Sequence, residues 1–346
     1  MQCLNCGVLR QSPLPDFVKA ELYGNRYGWY HKRPGTAASE LARYADMATW
    51  IFAELAPFRP SSLMDVGCGA GFLLDALRQA RPSIEYAGID PSMENSALAR
   101  ARGFSVTTGV VSDVASSKAR YDVVLASNVI SHIGDPVGFL RTMAGLTAPG
   151  GRVVLYSHNG SEPAIDHLYV DVEFSFCREH LGILGAKAGL SLLPSRGIAP
   201  PAGQADKHVL VFEQNEKPAA NCGLSPVDRE TLVKSRPLYF ESWRQLAARL
   251  VRQTDTSGVP VLNFGASFFS MVLAAYCPGY WANVEACIVD DAAGTFLDKP
   301  VRTIEQFPPT PPPLLVLGTN PASHTQLKQR LSGRANVITW NDMIRR

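Results

Sequence analysis

The sequence predicts an α/β protein, a parallel sheet covered by helices on both faces and followed by a second, smaller α/β domain. Three observations carry this. Short apolar runs alternate with helical periods between residues 63 and 156, the pattern of βαβ units. A glycine-rich turn joins the first of these runs to its helix. A second alternating series begins near Val259. At 346 residues the chain suits two domains, each large enough to bury its own core.

Residues 1–35 mix turn formers and aromatics (Pro13, Pro15, Tyr23, Tyr27, Trp29, Tyr30) without a sustained period and read as an irregular lead-in. Over 37–55, Leu41, Tyr44, Ala45, Ala48, Ile51, Phe52 and Leu55 recur at helical spacing until Pro57 and Pro60 end the run. Strands come next at 63–66, 86–90, 104–107, 121–127 and 152–156, with helices at 73–79 and after Pro91. Residues 209–212 supply a late edge strand. The first domain is therefore placed at 36–214. A linker is placed at 215–227, where Pro218, Gly223 and Pro226 cluster, and the second domain at 228–346. The second domain opens with a helix at 228–253 in which Pro237 marks a break. Strands at 259–264, 284–290, 314–317 and 336–339 and helices at 266–276 and 323–331 complete it, with the proline-rich 307–313 as a stiff connector.

A net charge of +2, without a Lys/Arg block beyond clusters such as Arg345-Arg346, gives no electrostatic footprint for nucleic acid. A small-molecule partner is expected, and the oligomeric state is not legible. No apolar run reaches the roughly 18 residues that span a bilayer, and no basic stretch precedes an apolar signal core. A cytoplasmic protein with no membrane contact is the expectation. Seven cysteines scattered over the chain are too few for a disulfide framework and read as reduced thiols.

Chemistry concentrates in Asp65-Val66-Gly67-Cys68-Gly69-Ala70-Gly71, between a strand and a helix. Glycines here let the chain turn tightly and bring bare backbone to a ligand, with the helix's unpaired N–H groups facing it. Asp90 ends the next strand, where a carboxylate accepts from both ribose hydroxyls. A dinucleotide fingerprint reads G-x-G-x-x-G, whereas this loop reads G-x-G-x-G. The spacing disfavours a nicotinamide-dependent oxidoreductase.

At this point the sequence resembles the class I S-adenosylmethionine-dependent methyltransferases, with a Rossmann-like sheet. The run Tyr121-Asp122-Val123-Val124-Leu125-Ala126-Ser127-Asn128-Val129-Ile130-Ser131-His132-Ile133 is similar to the family's fourth strand and following helix. Pro149-Gly150-Gly151-Arg152-Val153-Val154-Leu155 is similar to the turn into its fifth strand. The resemblance implies S-adenosyl-L-methionine as cofactor, with Asp65, Gly67, Gly69 and Gly71 around its methionine part, Asp90 on the ribose, Asp113 near the adenine and Asn128 beside the sulfonium. A wider likeness, to sugar C-methyltransferases with an N-terminal zinc module and a C-terminal Rossmann-like domain, rests on three features. These are Cys3-x-x-Cys6-Gly7 with Pro13, Pro15 and Tyr27, the His132-Ile133 pair, and the series from Val261 to Ala266. It implies a nucleotide-linked sugar or related metabolite as acceptor.

Two departures stand against that narrower group. Cys3 and Cys6 supply two thiolates where a tetrahedral site needs four, unless Cys177, Cys222, Cys277 or Cys287 folds back, so no metal is expected. The group's Tyr-Asp-Glu-His run is replaced by Tyr169-Val170-Asp171-Val172-Glu173, with Glu173 near the expected histidine. Methyl transfer needs the acceptor held in line in a dry site, and needs a base only where the acceptor loses a proton. Base candidates at the carboxyl ends of strands are His132 and His158 first, then His167, Tyr169 and Glu173. The reading is a methyltransferase acting on carbon or oxygen of a small molecule. Its rival is a catalytically silent protein that keeps the cofactor fold.

Overall fold

The computed structural model describes residues 1–3, 6–26, 37–215, 226–255, 258–290 and 294–344. Tyr27, Trp29, Tyr30, most of the predicted linker, Cys222 and Arg345-Arg346 lie outside them. Backbone proximity divides the chain into two compact units, Met1–Val233 and Lys234–Arg346.

In chain order the first unit holds β1 (Leu9–Arg10), α1 (Asp16–Glu21), α2 (Ala37–Leu55), β2 (Ser62–Val66), α3 (Phe72–Ala80), β3 (Glu85–Asp90), α4 (Met93–Ala101) and β4 (Ser105–Thr108). It continues with β5 (Tyr121–Ser127), α5 (Pro136–Leu146), β6 (Thr147–His158), β7 (Phe174–Ser175), α6 (Arg178–Lys187), β8 (Leu190–Leu192) and β9 (Lys207–Gln214). Among the described residues seven strands form one sheet in the order β4-β3-β2-β5-β6-β9-β8. The first five run parallel, whereas β9 is antiparallel to β6 and β8 to β9. The chain works outward from β2 to β4, then resumes at β5 on the other side. This leaves a topological switch point between β2 and β5, where open α/β sheets bind ligands.

Alternate residues of the central strands explain the two covered faces. Leu63, Val123, Leu125, Val154 and Tyr156 pack under α2 and α3 with Trp50, Ile51, Leu74 and Leu77. Met64, Val66, Val124, Ala126, Val153 and Leu155 pack under α5 and α6 with Phe139, Leu140, Met143 and Leu181. Asp135 starts α5 by accepting the Gly138 N–H at 2.9 Å, with Pro136 at the first helical position.

The structure corrects several local expectations. Residues 209–212 belong to β9, which is not the edge. The edge is β8, whose three residues are too short to show a period. The Pro149-Gly150-Gly151 run is a bulge inside β6 rather than a turn ahead of it. Pairing jumps from Tyr121 opposite Thr147 to Val123 opposite Arg152, and Gly150 takes φ +77°. The described part of the lead-in holds a strand its sequence does not suggest, because β1 pairs with the distant β7, Leu9 opposite Ser175 and Arg10 opposite Phe174. A partner so far along the chain leaves no local signal.

The helix α7 (Pro226–Asp255) runs unbroken through Pro237, and the division between the two units falls within it. The second unit then holds β10 (Val261–Phe264), α8 (Phe268–Tyr276), α9 (Pro278–Asn283), β11 (Ala286–Ile288), β12 (Thr295–Phe296), β13 (Lys299–Arg302), β14 (Leu314–Leu317), α10 (His324–Arg330) and β15 (Asn336–Ile338). Its sheet is parallel apart from the antiparallel β12–β13 pair, which the sequence reading missed. Leu262, Phe264, Ile288, Leu315 and Leu317 form its core.

Candidate active site

The glycine loop after β2 is built as its composition requires. Gly67, Gly69 and Gly71 take φ of +77°, +54° and +82°, the left-handed region that side chains disfavour. At Gly67 a Cβ would also lie 2.6 Å from Val129 Cγ2. The loop leans on β3 through a glycine the sequence reading did not single out. A Cβ on Gly88 would stand 2.6 Å from Cys68 Sγ. Gly71 precedes α3 without a side-chain cap, so the first-turn N–H groups stay open to a ligand.

Two carboxylates flank this loop. Asp90 Oδ2 accepts the Gly69 N–H at 2.8 Å and Oδ1 accepts the Ser92 N–H at 2.9 Å. Burial raises its pKa, opposed by those two N–H groups and by Asn95. With those three donors the carboxylate keeps one lone pair for a ligand hydroxyl. Asp65 is fully buried, and its Oδ1 has no hydrogen-bond partner. Burial, reinforced by the Asp90 charge, pushes its carboxyl well above the ordinary range. An orphaned buried carboxylate is costly unless a cationic or hydrogen-bonding group meets it. The Asp113 carboxylate is exposed and accepts its own Val110 N–H at 2.9 Å, closing the turn after β4.

Past β5 the chain turns at Asn128, which adopts φ +55° and donates its N–H to the Tyr156 carbonyl at 2.7 Å. Asparagine tolerates this region better than most residues. His132 lies in a short 3₁₀ turn, its Nδ1 3.1 Å from the Tyr23 hydroxyl and 2.8 Å from the Asp171 carbonyl. His158 ends β6. Its Nε2 meets Lys207 Nζ, and its Nδ1 lies 3.2 Å from Asp206 Oδ2 and 3.9 Å from Asp166 Oδ2.

The remaining three base candidates make other contacts. Glu173 is buried in ion pairs with Lys19 at 2.9 Å and Arg10 at 3.0 Å. Burial opposes ionisation there, but the two cations outweigh it and hold the carboxyl below the usual range. The Tyr169 carbonyl accepts from Gln11 at 3.0 Å. His167 is buried beside Asp166, with Nδ1 3.3 Å from its Oδ1. Cys3 and Gly7 close a small turn, Gly7 N–H to Cys3 carbonyl at 2.8 Å. Among the described residues no group of three or more His, Cys, Asp or Glu is placed to hold a metal ion.

Lys207 is a second residue the sequence reading missed. Because β9 runs antiparallel to β6, its first residue stands opposite the last of β6, His158 opposite Lys207. The lysine therefore reaches the same carboxyl edge as Asp90 and Asn128, and its Nζ is 3.5 Å from Asn128 Oδ1. Spacing in sequence carries no such signal.

Residues 30–191 match the family model described as a methyltransferase domain. The chain is 30% identical to the ubiquinone biosynthesis O-methyltransferase of Bordetella avium over 184 residues, covering 51% of this chain and 67% of that one. The chain belongs to the class I S-adenosylmethionine-dependent methyltransferases. Identically named proteins match at 31% in Rhizobium etli, over 50% of this chain and 63% of that one, and at 28% in Azorhizobium caulinodans, over 47% and 63%. The chain thus spans less than two thirds of the length of these last two. Among solved structures, the CcbJ methyltransferase from Streptomyces caelestis aligns with TM-score 0.44 at 17% identity, over 57% of this chain and 99% of that one.

Methyltransferases of this class use S-adenosylmethionine, and the residues present fit it. The glycine cradle excludes any Cβ at Gly67, Asp65 offers an orphaned buried oxygen, and Asp90 stands at the end of β3.

Proposed function

We propose that the chain transfers the methyl group of S-adenosylmethionine to a small-molecule acceptor, at oxygen or carbon. The observation that carries this is the single carboxyl edge shared by the Asp65 to Gly71 cradle, Asp90, Asn128 and the His158–Lys207 pair. Asp65, Gly67, Gly69 and Gly71 would hold the methionine part, Asp90 the ribose and Asp113 the adenine side, with Asn128 beside the sulfonium. The cofactor supplies an electrophilic methyl group. The chain's own residues bind, orient the acceptor and move its proton, with His132 and His158 as the base candidates on that side, whereas Glu173 and the Tyr169 carbonyl are engaged by the N-terminal segment. The relatives' name, ubiquinone biosynthesis O-methyltransferase, supports oxygen as the atom methylated.

The finer reading makes the acceptor a nucleotide-linked sugar. Its support is the Cys3-x-x-Cys6-Gly7 turn together with the second α/β unit, against which stands the absent Tyr-Asp-Glu-His run. Calorimetry with S-adenosylmethionine and S-adenosylhomocysteine, with NAD(H) as control, tests the cofactor. Micromolar binding of both sulfur compounds is expected, and nucleotide-linked sugars are then tried as acceptors, read by mass gain of one methyl. Failure of both to bind would favour a silent protein of this fold.

A further inference from the structure

Behind Asn128 the carboxyl edge carries a cluster of charges that neither the glycine loop nor the ribose carboxylate explains. The Lys207 side chain is 13% exposed. Around its amine stand His158 on β6, Asp206 beside it in sequence and Asp166 on the turn before β7, and the charge of Arg43 on α2 also reaches it. The Lys207 amine is 3.9 Å from Asp206 Oδ2 and 3.5 Å from Asn128 Oδ1. The Nδ1 of His158 faces the Asp206 and Asp166 carboxylates, so Nε2 is the nitrogen turned to the lysine. His158 is thereby covered on its Nε2 side, and Lys207 is the group between it and Asn128.

The amine is also poised to titrate. Burial, more than the Arg43 charge, drives its pKa down to about 8 against the pull of Asp206 and Asp166. Asp166 stays ionised there, since His158, His167 and Lys207 together outweigh its burial.

We propose that Lys207 is a further residue of the transfer site, its amine facing the cofactor's sulfonium, shedding its proton to solvent when the cationic cofactor binds and then accepting the acceptor's proton. This rests on the methyltransferase reading, which puts Asn128 beside the sulfonium. In the transfer, the acceptor oxygen bonds to the methyl carbon as the carbon–sulfur bond breaks, its electron pair remaining on sulfur. The acceptor's proton moves to Lys207 Nζ, from which His158 Nε2 is the next acceptor.

Two nucleosides that differ in charge at sulfur test this without an acceptor. Calorimetry from pH 7 to 9, in buffers of different ionisation enthalpy, measures affinity and proton release for S-adenosylmethionine and neutral-sulfur S-adenosylhomocysteine. The preference for the sulfonium compound is expected to rise about tenfold across that range as the amine loses its charge, with proton release near pH 7 in excess of that for the thioether. Lys207→Met should remove both the step and the excess proton, and Lys207→Arg should keep the preference low throughout. Amine labelling with acetic anhydride, read by mass spectrometry, should give Lys207 a midpoint near 8, and near 10 if the cluster does not act on it. A preference that is flat with pH, or a step that persists in Lys207→Met, would overturn the proposal while leaving the methyltransferase reading intact. Binding of neither compound to the native chain would overturn both.

Discussion

Asp90 illustrates how one carboxylate braces two turns at once and, in the proposed function, would also meet the ribose. It closes the glycine loop through the Gly69 N–H and starts the next turn through the Ser92 N–H, and with Asn95 also donating it keeps one lone pair for a ribose hydroxyl. Asp90→Ala should weaken S-adenosylhomocysteine binding by roughly 1.5–3 kcal/mol, about ten- to hundredfold by calorimetry. Unchanged affinity would remove the ribose from this site. At Gly67 two penalties coincide, a left-handed backbone and a Cβ contact with Val129. Gly67→Ala should lower stability by about 1–3 kcal/mol in urea unfolding. Adding Val129→Ala should recover the steric share and leave the backbone share. The glycines and Asp90 were legible because each answers a local demand of the turn. Lys207 and Gly88 were not, since the demand on each comes from a neighbouring strand.

Single side chains decide whether whole elements stay in place. The short strand β1 is held by its pairing with β7 and by Glu173, whose carboxylate takes both Arg10 and Lys19. Glu173→Ala should cost roughly 1.5–3 kcal/mol and speed amide exchange at Gln11, whose N–H donates to the Glu173 carbonyl. Intact protection at Gln11 would show that the backbone pairing suffices. The pH dependence has a definite sign. The folded carboxyl lies below its unfolded value, so the unfolded chain binds more protons between the two. The contribution of Glu173 is complete above about pH 4.3 and is lost as pH falls through the folded value. A Glu173→Gln chain should therefore lose less stability than the native one on acidification below that point, measured by urea midpoints.

At the scale of the whole molecule, all the residues assigned to the cofactor lie in the first compact unit. The second unit keeps its own core around Leu315, which is fully buried. Leu315→Ala should destabilise that unit by about 2–5 kcal/mol while S-adenosylhomocysteine affinity stays unchanged. A matching loss of affinity would show that cofactor binding depends on the second unit. Among the described residues no helix is long and apolar enough to cross a membrane.

The parallel α/β core, the glycine loop, the position of Asp90 at a strand end and the family were legible in the sequence alone, because each is written in contiguous residues whose spacing has a local physical cause. Strand periods, turn glycines and a carboxylate at a strand end need no distant partner to be read. Tertiary structure decided what depends on pairing across the sheet. It placed β8 rather than β9 at the edge, and β1 against β7. It drew Glu173 into ion pairs with the N-terminal segment, and by reversing β9 it set Lys207 opposite His158. Those positions depend on which backbone edge meets which, a choice made by the free energy of the folded chain rather than by any one segment.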